Sequence, residues 1–199
     1  MPVTLEQLLQ SRDNRAKHQK DLLEENPGRS LLCMTVQLPG AEKRNRTSLA
    51  IAKAGVEAVR EAFQPSYEEL RDLETGYEAY FLVSLPAPEA KRQACHIEDT
   101  HPLGRLMDID VFTPTVSYCH SERSEESVSP TAEGNYFSCS SPKNQFPSAI
   151  GAISRQDIGL EPRKCLLCGN EVRYCMRAKS HTTSELLARI EEMVNCYGC

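Results

Sequence analysis

The sequence lacks an excess of basic charge: 23 lysines and arginines stand against 28 aspartates and glutamates, giving a formal net charge of -5 and a pI near 5.6. That balance argues against a protein that coats nucleic acid. A long apolar run is also missing. The longest, around Tyr80-Phe81-Leu82-Val83, ends at Pro86, well short of the roughly 18 residues that span a bilayer. The opening MPVTLEQLLQSRDNR has no basic segment followed by an apolar one, so export is not expected. Nor is the cysteine count even: nine cysteines are expected as reduced thiols or metal ligands, not as a disulfide framework. The expectation is a cytoplasmic protein of 199 residues with no membrane segment and one modest core.

Local patterns divide the chain. Thr4 and Gln7 form a capping-box pattern ahead of Leu5, Leu8 and Leu9, which predicts a helix ending before Asn26-Pro27-Gly28. Leu31 to Leu38 reads as a buried strand, and apolar spacing predicts a helix from about Ser48 to Phe63. Ser66 with Glu69 predicts another short helix. Tyr77 to Leu85 reads as a second strand, Pro88 suits the first turn of a helix carrying Lys91, Ala94, Cys95 and Ile97, and Arg105 to Phe112 alternates as a third strand. Thr182 and Glu185 cap a last helix bearing Leu186, Leu187, Ile190, Met193 and Val194. Helices alternating with strands point to an α/β or α+β layer. Pro114 to Ile150 departs from this pattern, with 9 serines, 4 prolines and no leucine in 37 residues. So little apolar surface cannot offset the entropy of ordering it, and it reads as a disordered insertion at about 115–150 in a single domain spanning 1–199.

The sharpest local feature is Gly104-Arg105-Leu106-Met107-Asp108-Ile109-Asp110-Val111. Alternation in a strand places Asp108 and Asp110 on one face and Met107, Ile109 and Val111 on the other, in a core. Adjacent carboxylates repel unless a cation lies between them, and Mg²⁺ takes one or two carboxylates together with phosphates and water. Arg105 is a candidate phosphate clamp, Gly104 a point of close backbone approach, and His101 a neighbour able to meet a phosphate. Asp-x-Asp by itself equally describes the polar edge of a half-buried strand; aspartate's poor strand propensity is what asks for a specific cause.

Cys165-x2-Cys168-x6-Cys175-x5-His181 places four soft or borderline ligands within 17 positions, a Cys3His set that suits structural Zn²⁺. Ordinary reduced cysteines in a basic, phosphate-facing loop remain the other reading. Glu98 is a candidate third ligand for the Asp108–Asp110 ion on nearness in sequence alone.

With these residues in place, the chain resembles the citrate lyase holo-acyl-carrier-protein synthase family, the apo-citrate lyase phosphoribosyl-dephospho-CoA transferases. The resemblance rests on LEQLLQSRDNR, on HPLGRLMDIDVFTP from His101 to Pro114, and on ISRQDIGLEPRKCLLCGNEVRYCMRAKSH from Ile153 into the last helix. It implies transfer of the phosphoribosyl-dephospho-CoA group from triphosphoribosyl-dephospho-CoA to a serine of the citrate lyase acyl carrier protein, the gamma subunit, with loss of pyrophosphate. By analogy it also implies a nucleotidyltransferase-like α+β fold, a mixed sheet flanked by helices. Carried over by position, Asp108 and Asp110 hold Mg²⁺, Arg105 contacts the triphosphate, His101 lies beside the site, and Arg12 and Arg15 bind phosphate. The acidic carrier is expected to dock on the basic stretch from Arg163 to Lys179. Two alternatives stand beside this one: a zinc-stabilised adaptor that binds an acyl carrier protein without chemistry, and an enzyme disabled by its insertion.

Overall fold

The computed structural model describes residues 2–114 and 150–198. The serine-rich segment expected at about 115–150 lies outside these residues, apart from Ile150.

Thr4 and Gln7 close the expected capping box and start α1 (Leu5–Glu25). Next come β1 (Ser30–Val36) and α2 (Arg46–Phe63), which Asn45 caps reciprocally with Ser48. A hairpin of β2 (Tyr67–Leu73) and β3 (Gly76–Val83) leads to α3 (Ala87–Thr100), with Pro88 in its first turn. A 3-10 turn, Gly104–Leu106, delivers β4 (Met107–Pro114). After β5 (Ile150–Ile153) the chain forms α4 (Val172–Ala178) and α5 (Thr183–Tyr197), the latter opened by the expected Thr182–Glu185 box.

The five strands form one sheet in the order β2-β3-β1-β4-β5. The α+β expectation holds; all four pairings are antiparallel, so the sheet is not mixed. The helix expected from Ser66 and Glu69 is strand β2 instead. Tertiary pairing overrides the local cap signal there: Glu69 lies opposite Tyr80, Arg71 opposite Glu78, and the Ser66 amide donates to the Leu82 carbonyl at 2.9 Å. Gly76, at φ +118°, permits the tight return at Glu74-Thr75.

The sheet has two unlike faces. Leu32 and Met34 of β1, Ala79 and Phe81 of β3, and Met107, Ile109 and Val111 of β4 join Ile51, Val59, Ala94 and Ile190 from α2, α3 and α5 in the main core. On the opposite face, Leu22 and Leu23 of α1 pack on Leu31, Cys33, Tyr80 and Leu82.

Gly104 fixes the entry to β4. A Cβ built there would lie 2.3 Å from the Ile97 carbonyl oxygen and 2.7 Å from that of Glu98. Both obstacles are helix backbone, which cannot step aside as a flexible side chain can. Gly104→Ala is therefore expected to lower the unfolding free energy by about 3 kcal/mol, read as a fall in denaturation midpoint at unchanged slope.

Candidate active site

The α1-facing side of the sheet changes character row by row. Strand register places Leu82, Leu31 and Phe112 in one row, Tyr80, Cys33 and Asp110 in the next, and Glu78, Thr35 and Asp108 in a third. The first row is apolar and sits in the cluster with Leu22 and Leu23 of α1. The third is polar and faces the earlier turns of α1: Glu78, 5% exposed, accepts from Arg15 at 3.3 Å, Ser11 at 3.4 Å and the Tyr80 hydroxyl at 2.6 Å. Between them lies a cleft of about 410 Å³ lined by Arg12, Arg15, Lys43, Cys33, Asp108 and Asp110, among others. Burial pushes the Cys33 thiol up to about 12, which keeps it protonated at neutral pH.

The other side of the carboxylate pair is a strand edge. β5 pairs with β4 only from Val111 onward, so among the described residues the backbone of Ile109 has no strand partner on that side. Side chains of α3 take its place. Glu98, 1% exposed, accepts from the Ile109 amide at 2.8 Å, and Lys91 donates to the Ile109 carbonyl at 2.8 Å. Glu98 is in turn bound by Arg155 at 3.0 Å and Arg163 at 2.9 Å. Arg163 also donates to the Met107 carbonyl at 2.5 Å and lies 3.5 Å from Asp108. A second cleft of about 270 Å³ opens here, lined by Asp108, Asp110, Lys91, Arg155, Arg163 and Arg173, among others.

Asp108 and Asp110 thus line both clefts. Gln37 donates to Asp108 at 3.1 Å, and Lys91 approaches Asp110 at 3.7 Å. Burial, and then the charge of Asp108, holds the Asp110 carboxyl above the usual aspartate range despite Lys91. The donors are hard oxygens, close together and partly exposed, which fits a small divalent cation.

Not all the residues singled out in the sequence converge on this pair. Arg12 and Arg15 do, from one face of α1. Glu98 is close, but both of its oxygens are already engaged by Ile109, Arg155 and Arg163. Gly104 packs on α3 backbone. Arg105 donates to the Lys164 carbonyl and lines neither cleft. His101 caps α3, accepts from the Leu103 amide at 3.1 Å and packs on Tyr197 with ring centroids 5.3 Å apart; burial lowers its pKa. Lys91, Arg163 and Gln37 reach the carboxylates from 19, 55 and 71 positions away, and Arg155 stands behind them on Glu98 and Asp99, so no local pattern in the sequence ties the four to the pair. One signal was available: Lys91 and Glu98 interrupt the apolar face of α3 formed by Ala87, Ala90, Ala94 and Ile97.

Cys165, Cys168, Cys175 and His181 do converge, with one ligand atom from each within 4.8 Å of the others, and could hold a metal ion.

The family model for apo-citrate lyase phosphoribosyl-dephospho-CoA transferase matches residues 3–130 and 146–197, so it runs through the first part of the serine-rich segment. A Vibrio cholerae protein (strain M66-2) named "Probable apo-citrate lyase phosphoribosyl-dephospho-CoA transferase" is 32% identical over 100% of this chain and 96% of its own length. An Escherichia coli protein (O1:K1 / APEC) named "Apo-citrate lyase phosphoribosyl-dephospho-CoA transferase" is 31% identical over 97% of this chain and 89% of its own. A Streptococcus pyogenes relative (strain MGAS315) is 29% identical over 98% and 87%.

The Asp110 carboxyl, half-exposed at the clefts, makes a pH signature. The folded state binds the Asp110 proton more tightly than the unfolded chain does, so this group subtracts stability as pH rises through its titration. Asp110→Asn is expected to raise the melting temperature at pH 7, with the gain shrinking as pH falls toward the 3.8 of an ordinary aspartate. Thermal melts across that range check it, and millimolar Mg²⁺ should stabilise the parent protein but not the variant.

Proposed function

The chain belongs to the apo-citrate lyase phosphoribosyl-dephospho-CoA transferase family, and from that premise we infer that it transfers the phosphoribosyl-dephospho-CoA group from triphosphoribosyl-dephospho-CoA to a serine of the citrate lyase acyl carrier protein. The observation that carries this reading is the pair Asp108 and Asp110 at the polar end of the sheet, facing the arginines of α1 across a cleft. In the reaction the serine Oγ attacks the phosphorus nearest the ribose. The new Oγ–P bond forms as the bond to the pyrophosphate oxygen breaks. Pyrophosphate leaves with the electron pair, and the serine proton passes to solvent. This is nucleotidyl transfer, in which positioning and charge neutralisation supply most of the rate.

Asp108 and Asp110 would hold Mg²⁺, which when bound neutralises charge on the phosphates and the departing pyrophosphate. Arg12 and Arg15 bind the triphosphate, and Arg163 orients Asp108. Arg105 and His101 act from outside the clefts: Arg105 ties down the Lys164 peptide, and His101 seats α5 on the end of α3. The soft donor set of Cys165, Cys168, Cys175 and His181 suits Zn²⁺, a separate ion from the one at the carboxylates. The acidic carrier docks on α4 and its C-cap, where Arg173, Arg177 and Lys179 flank the exposed Tyr174 and Met176. A non-catalytic adaptor would leave the carboxylate pair without a role.

Intact-mass spectrometry of the apo carrier, incubated with this protein, the precursor and Mg²⁺, tests the reading. The expected result is a shift by the mass of the phosphoribosyl-dephospho-CoA group, abolished by EDTA. Asp108→Asn and Asp110→Asn should each slow transfer by at least about 100-fold with the fold retained; a double variant with full activity overturns the assignment. Arg12→Ala and Arg15→Ala should each raise KM for the precursor by about tenfold, the weight of one charge-assisted hydrogen bond.

A further inference from the structure

We propose that the ion held by Cys165, Cys168, Cys175 and His181 is a positioning element for the carboxylate site, acting through Arg163. This rests on the zinc reading of the cluster, and three observations carry it beyond that reading.

The first is the geometry of the cluster. Cys168 Sγ lies 3.5 Å from Cys175 Sγ and 3.4 Å from His181 Nε2. A tetrahedral zinc with ordinary bond lengths would separate such atoms by about 3.8 Å and 3.5 Å. The Cys165–Cys168 turn is preformed: the Cys165 amide donates to the Asn170 carbonyl at 2.7 Å, and Lys164 pairs with Glu171. Cys175 comes from α4, and His181 from the residue before the α5 cap.

The second is what this part of the chain lacks. From Ser154 to Ser180, Cys175 alone is buried. A segment without an apolar core of its own has little to hold its turns in one arrangement, and a structural metal supplies what burial does not.

The third is its attachment to the carboxylates. Arg163 stands two residues before Cys165. Its carbonyl accepts from the Val172 amide at 2.9 Å, next to α4, while its guanidinium reaches Glu98, the Met107 carbonyl and Asp108. Arg105 anchors the intervening Lys164 carbonyl. The cluster and the strand edge therefore share one short, doubly tethered segment. Loss of the ion frees the backbone of Arg163, and Glu98 then loses one of its two arginines.

The test uses the full-length protein. Elemental analysis after purification without added metal should find about one zinc per chain, reduced in Cys168→Ser, and cobalt substitution should give the absorption of a tetrahedral thiolate site. Absence of both, or a Cys168–Cys175 disulfide in their place, overturns the zinc reading and this proposal with it. If zinc is present, hydrogen exchange at the Ile109 amide decides the positioning role. Removing zinc with a strong chelator should speed that exchange roughly tenfold while β1 and β3 amides keep their protection. Arg163→Ala should do the same, and zinc removal from Arg163→Ala should add nothing further, with Arg163→Lys intermediate. Unchanged Ile109 exchange on chelation, or effects of chelation and Arg163→Ala that multiply, overturns the positioning role while leaving the zinc site standing. Transfer assays run in parallel separate this from failure of the transferase reading, because neither metal content nor exchange depends on substrate.

Discussion

The buried carboxylate of Glu98 is the interaction on which the site depends. A charge removed from water is costly, and this one is tolerated because three donors surround it: the Ile109 amide, Arg155 and Arg163. One donor comes from β4 and two from the segment after β5. Glu98 therefore joins α3, the unpaired edge of β4 and that segment in one contact. With Lys91 on the Ile109 carbonyl, it satisfies a strand edge that β5 leaves open. The consequence is functional. A fifth strand reaching Asp108 and Asp110 would have walled off one side of the pair, whereas helix side chains hold the strand and leave the carboxylates accessible from both.

The opposite wall follows a similar logic. α1 is long, yet it buries only Gln19, Leu22 and Leu23, all in its last two turns. Those leucines dock the helix on the apolar row of the sheet. The earlier turns hold Ser11, Arg12 and Arg15 over the polar rows, where Glu78 takes Ser11 and Arg15. A helix anchored at one end and polar at the other is poor economy for stability alone, since its first turns contribute little burial. It suits a wall that must present cations to an anionic ligand without collapsing onto the sheet.

Much of this was legible in the sequence, and the boundary is physical. Capping boxes, prolines and apolar spacing located α1, α2, α3, α5 and the three strands β1, β3 and β4, because each signal is local. The strand alternation that put Asp108 and Asp110 on one face and Met107, Ile109 and Val111 in the core is local too. β2 was misread because Ser66 and Glu69 imitate a cap while the pairing partners lie across a hairpin. Arg155 and Arg163 could be counted as basic residues but not placed, since their contact with Glu98 spans 57 and 65 positions of chain. The same limit applies to Gly104: a glycine beside a carboxylate strand suggests room for a phosphate, and only the fold shows α3 carbonyls occupying that space.

The charges around the pair set what it can bind. Arg155 and Arg163 are both engaged with Glu98, and Arg155 also with Asp99 at 2.7 Å, so their charge is largely compensated before it reaches Asp108 or Asp110. Lys91 is divided between the Ile109 carbonyl and Asp110. The pair is left net negative, and the charge of Asp108 adds to burial in holding Asp110 above the usual aspartate range. Across the cleft, the one ion pair of Arg12 among the described residues is an exposed contact with Asp13 at 3.7 Å, and its charge stands nearer excess than balance. A cation alone would satisfy the carboxylates and repel the arginines; a polyphosphate alone would do the reverse. A divalent cation carrying a polyphosphate would satisfy both walls at once, as the proposed function requires: hard oxygen donors favour such an ion, whereas the sulfur-rich set of the neighbouring cluster favours a softer one. Two chemically distinct donor sets thus lie on either side of Arg163.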